Sequence, residues 1–316
     1  MRVILQAPPS PQEWVLAFLK HLHQTDYAQS TIHSYQKDLR RFLAFYQQAY
    51  PRETTLDNLQ SACLVHFRQN MVHQDKLAIA TVNRRLEALR RFCRFCHDNG
   101  WLTQNPAACV KSMRISKQSK PRGLTVQQTH ALIQATMPLE RRLGVRDHAL
   151  LHLLLQTGLR IGEAAALLIQ DLVIYDRSGW VRVRDGKGHR QRAVPLNATA
   201  RGALRRYLAT RGDTRGDKPV FVSERGAPLS VRGMQIVMGN LARRAGLKRE
   251  FSAHVLRHTF ALNYLRDNPG KLADLSHLMG HESVNTTAVY ARSSEQDMAD
   301  DLERSQFNVE AGLVGA

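Results

Sequence analysis

Six polar residues in the second half of the sequence are of the types that transfer a phosphoryl group without a metal ion. They are two arginines, two histidines, a lysine and a tyrosine: Arg160, Lys187, His254, Arg257, His281 and Tyr290. A phenol oxygen can attack phosphorus when cations neutralise the charge that develops on the phosphate oxygens. A positioned lysine or histidine can protonate the leaving oxygen. These residue types therefore predict phosphoryl transfer through a covalent tyrosine intermediate, with no metal and no cofactor.

Arg160 and Lys187 each have an ordinary alternative interpretation. Arg160 follows the turn at Gly158 in "TGLRIGE", where it can also pair with Glu163 one helical turn later. Lys187 stands between glycines at the tip of a predicted hairpin, in "DGKGH". A lysine at such a tip is commonly a solvated side chain, but a flexible tip can also fold over a substrate and deliver a proton. The residues by themselves leave both interpretations open.

Histidines at helical spacing suggest either an anion site or a metal site. His254 and Arg257, in "SAHVLRHTFA", share one helix face and together can bind one oxyanion. His258 lies four residues after His254, and His281 lies four residues after His277, so a zinc site has to be considered. Neither pair has the glutamate of the H-E-x-x-H motif. We therefore expect no metal, and we expect His258 and His277 to be core or helix-capping histidines.

The segment "GHESVNTTAVYAR", residues 280–292, carries a tyrosine near its end that is either a nucleophile or a buried aromatic closing a core. After Tyr290 the charge of the chain reverses. The acidic residues of this tail are Glu295, Asp297, Asp300, Asp301, Glu303 and Glu310, against only Arg292 and Arg304. A thin apolar stripe of Met298, Leu302 and Phe307 accompanies them, which favours a helix that docks on protein rather than on nucleic acid.

The composition points to a polyanionic partner. The chain has 316 residues with 45 Lys and Arg against 27 Asp and Glu, a formal charge of +18 and an isoelectric point near 10.3. This balance is typical of proteins that bind nucleic acid. The sequence shows no long apolar run, no lipidation signal and no secretory segment, so we expect a cytoplasmic protein of the bacterial cytosol or nucleoid type, with no membrane partner.

The motif "CRFCH" at residues 93–97 matches a c-type haem attachment pattern. It lies in a segment whose apolar residues recur at helical spacing, so Cys93 and Cys96 fall on one apolar face. Structural thiols are therefore favoured over haem or zinc, and all the cysteines are expected to be reduced.

The sequence predicts a mainly α fold with more than one domain. Residues 8–110 are predicted as a small helical bundle, and residues 123–316 as a second, α-rich domain with a small antiparallel β-sheet built on the hairpin "GWVRVRDGKGHRQRAVPL". Residues 111–122 between them are predicted as a linker, either solvated or lying along phosphates. Its basic residues are Lys111, Arg114, Lys117, Lys120 and Arg122.

The ordered series of motifs resembles the tyrosine recombinase (phage integrase) family. The series is the arginine of "TGLRIGE", the hairpin lysine, the "HxxR" pair, "LMGH", and a tyrosine nine residues later. Each motif is weak alone, whereas five in this order are very specific. The resemblance covers nearly the whole chain and implies a core-binding, SAM-like DNA-binding domain at 8–110. It also implies a catalytic domain at 123–316 whose acidic tail begins at about 293.

The resemblance implies a role for each candidate residue. Arg160 and Arg257 would bind the nonbridging oxygens of the scissile phosphate, and His254 and His281 would hydrogen-bond it and help proton transfer. Three further roles concern the reacting atoms and their support: Tyr290 would attack and leave a 3′-phosphotyrosine, Lys187 would protonate the leaving 5′ oxygen, and Glu163 would orient the first arginine. No cofactor is implied, because the phosphodiester energy is conserved in the tyrosine link.

The resemblance also implies partners. They are double-stranded DNA with inverted-repeat-like core sites and a tetrameric synapse, formed by this chain alone or with a second recombinase. The acidic tail would then pack on an adjacent protomer. The function implied is site-specific recombination, for integration, excision or dimer resolution of DNA. Two alternatives remain: a DNA-binding protein on the same fold without catalysis, and a type IB topoisomerase that relaxes DNA with the same tyrosine chemistry.

Overall fold

The computed structural model of the chain describes residues 10–51, 55–56, 58–114, 123–139, 142–184, 191–247, 251–281 and 284–290. The chain divides into two compact units, Met1–Gln118 and Ser119–Ala316, each with its own hydrophobic core. The mainly helical fold with a small antiparallel sheet is confirmed. The boundary between the units falls inside the predicted linker, while the functional division of the domains stays a prediction. Lys117, Lys120, Arg122, Lys187 and the acidic tail lie outside the described residues.

The first unit is a helical bundle. Its helices are α1 (Pro11–Gln24), α2 (Gln29–Ala49), α3 (Ser61–His73) and α4 (Ile79–Asp98). Helix α1 begins as the sequence predicts, because the Ser10 side chain accepts a hydrogen bond from the backbone N–H of Glu13 and Pro11 takes the first helical position. Cys93 and Cys96 are buried in the core of the bundle, where desolvation raises the pKa of Cys93 to about 12. The thiol of Cys93 therefore stays protonated at neutral pH.

The second unit holds the remaining elements, with the sheet inserted among helices. In chain order they are α5 (Val126–Gln134), α6 (Arg142–Thr157), α7 (Ile161–Ala166), β1 (Leu172–Ile174), β2 (Gly179–Val183), β3 (Arg192–Pro195), α8 (Ala198–Ala209), α9 (Val231–Arg244), α10 (Ala253–Asp267), α11 (Leu272–Met279) and α12 (Val284–Thr287). Helix α6 lies at the centre, packed against α8 and α10. Among the described residues, no helix combines the length and the apolar character needed to cross a membrane.

The sheet is antiparallel in the order β1-β2-β3, and its register decides which side chains face the core. Val181 of β2 lies opposite Val194 of β3, and all three valines of the inner face, including Val183, are buried. The same alternation places Arg192 opposite Val183, on the buried face. Strands β2 and β3 are those of the predicted hairpin.

The end of α6 and the middle of α10 meet at a glycine. Gly158 follows α6 with φ at +63°, and a Cβ added there would lie 2.3 Å from the Phe260 ring of α10. Only glycine satisfies both the left-handed backbone and the close approach. This turn brings the residues just after α6, including Arg160, next to α10.

Candidate active site

Arg160 stands at the entry to α7, where its own side chain and backbone are both fixed by Glu163. The backbone N–H of Arg160 donates to Glu163 Oε2 at 2.8 Å, and its Nη1 donates to Oε1 at 2.9 Å. Nη2 donates to the carbonyl of Gly280 at 3.2 Å. The side chain is still 48% exposed, so part of the guanidinium remains open to a ligand. The pairing with Glu163 and the binding of an anion are therefore compatible.

Arg257 of α10 is buried and is held by main-chain carbonyls on both sides. Its Nη1 donates to the carbonyl of Gly158 at 2.6 Å, and its Nη2 donates to that of Met279 at 2.6 Å. Burial, and then the charge of Arg160, lowers the pKa of Arg257 to about 10. The guanidinium is therefore still charged at neutral pH, and it lies in a dry environment where a charge acts strongly on a neighbouring anion.

His281 is oriented by Arg257 and by a buried threonine. Arg257 Nη2 lies 2.9 Å from His281 Nε2, and Thr287 Oγ1 lies 2.7 Å from His281 Nδ1. A guanidinium can only donate, so Nε2 is the acceptor and Nδ1 carries the proton. Burial and the charges of the neighbouring arginines lower the pKa of His281 to about 4, which keeps the ring neutral. The sequence-predicted pair Arg257 and His281 is thus in direct contact.

Tyr290 packs its ring against a small apolar cluster and points its hydroxyl at α10. The cluster contains Ala261, Leu275 and Met279. The phenol oxygen lies 2.6 Å from Nδ1 of His258. Burial raises the pKa of Tyr290, although the charge of Arg257 opposes the shift, so the phenol is protonated at neutral pH. The side chain is therefore a half-buried aromatic and at the same time a hydroxyl presented to a polar partner.

His258 is a site residue that the sequence reasoning did not select. Its ring packs 4.4 Å from that of His254, centroid to centroid, and accepts the hydrogen of the phenol of Tyr290. Burial, and then His254 and Arg257, lowers the pKa of His258 to about 4, so the ring is neutral, and in the tautomer with the proton on Nε2 its Nδ1 accepts from the phenol. The signal in the sequence was the spacing of four residues from His254, which indicated a shared helix face but gave no reason to expect the tyrosine there.

His254 is exposed and faces the same open cavity as the two arginines. Desolvation, and then the charges of Arg257 and Arg160, lowers its pKa, so it is a neutral hydrogen-bonding group at neutral pH. The cavity has a volume of about 470 Å³ and is also lined by Arg232 and Gln235 of α9. Its polar rim of cations and a neutral histidine suits a phosphate oxygen.

Arg192 is the second residue that the sequence reasoning missed. It extends from β3 under the site, with its side chain only 8% exposed, and binds both oxygens of Glu163 at 3.1 and 2.9 Å. Its position was readable from the strand alternation, because a charged residue on the inner face of a sheet must be paired. The sequence could show that Arg192 needed a partner but not that Glu163 supplies it.

Among the predicted residues that the structure describes, Arg160, His254 and Arg257 line one cavity. Glu163 contacts Arg160, His281 contacts Arg257, and Tyr290 is joined to His254 through His258. Lys111 and Arg114 are exposed at the end of the first unit, and the carbonyl of Lys111 accepts a hydrogen bond from Arg68. Within the described ranges, no cluster of three or more His, Cys, Asp or Glu side chains is arranged to hold a metal ion.

Comparison with known protein families finds matches over both units. Residues 122–297 match the phage integrase family, and residues 15–100 match the N-terminal SAM-like domain of phage integrases. The chain is 33% identical over 275 residues to tyrosine recombinase XerC of Xylella fastidiosa strain M23, covering 86% of this chain and 90% of the relative. It is 30% identical over 303 residues to tyrosine recombinase XerC of Thermodesulfovibrio yellowstonii, covering 93% and 96%.

Solved structures of similar fold include two proteins in complex with DNA. One is the XerH site-specific recombinase bound to its palindromic difH substrate, with a TM-score of 0.73 and 18% identity, covering 96% of this chain and 99% of that chain. The other is the Tn1549 transposon integrase with circular intermediate DNA, with a TM-score of 0.72 and 20% identity, covering 92% and 99%. These similarities establish the fold of the chain.

Proposed function

Since the chain belongs to the phage integrase family and is a tyrosine recombinase, we propose that the group around Arg257 is its catalytic centre and that Tyr290 is its nucleophile. The enzyme cuts and rejoins DNA strands as a site-specific recombinase. The observation that carries the assignment is the hydrogen bond between Tyr290 and His258, because it holds the phenol beside α10, the helix that also carries His254 and Arg257.

In the proposed reaction the scissile phosphate enters the cavity beside α10. Arg160 and Arg257 bind its nonbridging oxygens, and His254 hydrogen-bonds it. His281 hydrogen-bonds it from the Nε2–H tautomer, which replaces the Nδ1–H form when the phosphate takes the place of His281 as the partner of Arg257. Tyr290 Oη then attacks phosphorus, the bond to the 5′ oxygen breaks, and a 3′-phosphotyrosine forms. Because the new phosphodiester retains the energy of the old one, a 5′ hydroxyl from another strand can reverse the step and complete the exchange.

Two protons have to move in this step. The phenol proton lies in the hydrogen bond to His258 Nδ1, which is its nearest acceptor in the described site. The leaving 5′ oxygen needs a proton, and we assign its delivery to Lys187 from the β2–β3 connection. Glu163 supports the reaction indirectly by orienting Arg160.

We assign double-stranded DNA as the partner on three grounds. The formal charge of the chain is +18, the candidate site is lined by cations, and the XerH and Tn1549 structures of the same fold hold DNA. Lys111, Arg114, Lys117, Lys120 and Arg122 are assigned to the DNA backbone along the linker. We further propose inverted-repeat-like core sites and a tetrameric synapse, of this chain alone or with a second recombinase, in which the acidic tail packs on a neighbouring protomer. The proposed location is the cytoplasm.

The assignment of Tyr290 is tested by trapping the covalent intermediate. Nicked duplexes that carry candidate core sites are incubated with the protein without added metal and are run on a denaturing gel. Tyr290→Phe removes only the hydroxyl, so we expect it to bind DNA within about twofold of the parent protein and to form no covalent adduct, a loss of at least about a thousandfold.

Tyr175→Phe is the matched control. Tyr175 lies after β1, is 59% exposed and contacts Trp180 rather than the site, so this variant is expected to form the adduct at the parent rate. Adduct formation by the Tyr290→Phe protein would show that another residue is the nucleophile. Its absence in the parent protein with confirmed DNA binding would favour a DNA-binding role without catalysis.

A further inference from the structure

Three consecutive carbonyls at the end of α11 each accept a hydrogen bond from a different arginine. Arg192 Nε donates to Leu278 at 2.9 Å, Arg257 Nη2 to Met279 at 2.6 Å, and Arg160 Nη2 to Gly280 at 3.2 Å. The last carbonyls of a helix have no partner within the helix, and they carry the negative end of its dipole. We call this arrangement the carbonyl ladder. Two of its arginines face the cavity, whereas Arg192 lies behind them.

Arg192 makes all of its described contacts away from the cavity. Its Nη1 and Nη2 both bind the carboxylate of Glu163, and its Nε binds the ladder. The same carboxylate binds the side chain and the backbone N–H of Arg160. Glu163 is therefore shared between an arginine that is placed to bind phosphate and an arginine that is not.

The charge balance around Glu163 explains why the second arginine is needed. The carboxylate is only 14% exposed, and burial alone would raise its pKa. The hydrogen bonds and charge of Arg192, together with those of Arg160, bring the pKa of Glu163 below its usual value, so it stays ionised. Without Arg192, this buried anion would be neutralised by Arg160 alone and would compete with the phosphate for its guanidinium.

Gly280 gives a second sign that the position of Arg192 is constrained. A Cβ added to Gly280 would lie 2.6 Å from Nη1 of Arg192, and the backbone there has φ at +64°. The backbone at Gly280, the residue before His281, therefore packs directly against the guanidinium of Arg192. The side chain of Arg192 thus contacts both the carboxylate of Glu163, which binds Arg160, and the main chain at Gly280, which precedes His281.

We propose that Arg192 is a positioning residue for the recombination reaction, holding Arg160 through Glu163 and holding the entry to His281 through the carbonyl ladder. This inference rests on the proposed function of the same site. A lysine at position 192 would keep the positive charge, but it cannot donate to both oxygens of Glu163 and to the Leu278 carbonyl from one rigid plane. Arg192 therefore acts through the arrangement of its hydrogen-bond donors as well as through its charge.

The test uses the full-length protein in single-turnover cleavage of a nicked substrate at saturating enzyme. Arg192→Lys is expected to slow covalent adduct formation by at least about tenfold, because a small displacement of a phosphate-binding group strongly reduces the rate. Its Kd for the same DNA is expected to stay within about threefold of the parent value, since Arg192 does not reach the cavity. Thermal unfolding of each variant shows whether it is folded.

Arg201→Lys is the matched control. Arg201 of α8 also donates to main-chain carbonyls, those of Leu196 at 2.7 Å and Asp176 at 3.2 Å, but it touches none of the candidate site residues in the described contacts. This variant is expected to cleave within about twofold of the parent rate. The comparison shows whether the loss of any arginine–carbonyl hydrogen bond slows cleavage, or only the loss of those made by Arg192.

A double-mutant cycle with Arg160→Lys tests whether Arg192 acts through Arg160. If it does, adding Arg192→Lys slows cleavage by a smaller factor in the Arg160→Lys protein than in the parent, and the loss that remains is the part transmitted to His281. Parent-like cleavage by Arg192→Lys overturns the proposal. A full multiplicative loss in the double variant, or a loss explained by unfolding, overturns it as well. If the proposed function is wrong, the parent protein itself forms no adduct through Tyr290. That result is distinct from failure of the proposal for Arg192, in which the parent protein does form the adduct.

Discussion

At the scale of single residues, the hydrogen bond from Tyr290 to His258 sets the orientation of the phenol before the DNA binds. Burial raises the pKa of Tyr290, and the pKa of His258 is lowered to about 4, so both groups are neutral at neutral pH. In this state the phenol donates and Nδ1 accepts at 2.6 Å. The histidine therefore orients the nucleophile before any charge is transferred.

Removing the acceptor should slow cleavage without preventing it. His258→Leu takes away Nδ1, and since one hydrogen bond contributes about 1 kcal/mol, we expect adduct formation to slow by about fivefold to tenfold. His258→Asn keeps a side-chain acceptor near the position of Nδ1 and is expected to remain within about threefold of the parent rate. Single-turnover kinetics on a nicked duplex measures both. Equal rates for the leucine and parent proteins would show that the bond does not position the phenol.

These two residues also show the limit of sequence reasoning at this scale. The spacing of His254, Arg257 and His258 predicts a shared helix face, and the structure places all three on α10. Tyr290 is 32 residues from His258, and their meeting depends on how the chain returns after α11. A distant contact of this kind leaves no periodic pattern in the sequence, so the sequence alone predicts a structural role for His258.

At the scale of elements, the end of α11 sets the geometry of the site. Gly280 has a left-handed backbone and rests against Arg192, and its own carbonyl accepts from Arg160. The helix therefore has to stop at this residue, in this conformation, for the arginines to keep their places. This makes Gly280 more sensitive to substitution than a glycine within a helix.

Gly280→Ala is expected to lower the free energy of unfolding by at least about 1 kcal/mol, because a side chain is strained in the left-handed region. It is also expected to slow cleavage, since the new Cβ displaces Arg192. Gly202→Ala is the control: Gly202 lies inside α8 with open space around its Cβ position, so this change should stabilise by about 0.5–1 kcal/mol. Chemical denaturation compares the two, and equal stabilities would contradict the role of Gly280.

The sheet shows which features of an element the sequence pattern predicts and which it does not. The alternation in "GWVRVRDGKGHRQRAVPL" predicts the strands β2 and β3, and the register confirms that Val181, Val183 and Val194 face the core. The same alternation places Arg192 inward, but it does not identify Glu163, which follows the turn at Gly158. Strand β1 has only three residues, too few for a periodic signal.

At the scale of the whole molecule, neutral histidines link stability to pH. His152 of α6 is only 5% exposed, and burial, followed by the charges of His148 and Arg206, lowers its pKa to about 4. His258 and His281 have pKa values lowered to about 4 as well. In the unfolded chain each would titrate near its ordinary value of about 6.5.

The direction in which the free energy of unfolding changes with pH follows from the number of protons bound by the folded and unfolded states. Between about pH 6.5 and 4 the unfolded chain binds more protons than the folded protein, so the free energy of unfolding decreases as pH falls through this range. For His152 alone the loss at pH 5 is up to about 2 kcal/mol. Denaturant titrations at pH 7.5, 6 and 5 measure the slope, and His152→Leu should make it shallower. A stability that is independent of pH in the parent protein would contradict the burial of neutral histidines.

The charge balance and the order of the motifs are properties of the whole sequence, and they predict the partner and the family directly. The excess of 45 basic over 27 acidic residues predicts a polyanionic partner without any knowledge of the fold, and the ordered motifs predict the family, which is confirmed. The identity of the DNA sites has no comparable signature, since groove contacts and DNA shape decide it. The assignment of 8–110, 111–122 and 123–316 to separate functions stays a prediction.

The carbonyl ladder has a consequence for mutational drift in this enzyme. Its acceptors at Leu278, Met279 and Gly280 are main-chain atoms, so they are supplied whatever side chains stand at the first two positions. Substitutions there alter the packing of α11 but leave the hydrogen-bond acceptors of the arginines in place. The support of the catalytic arginines therefore does not depend on the side chains at Leu278 and Met279, as long as the backbone of α11 keeps its course, whereas at Gly280 it depends on the residue itself.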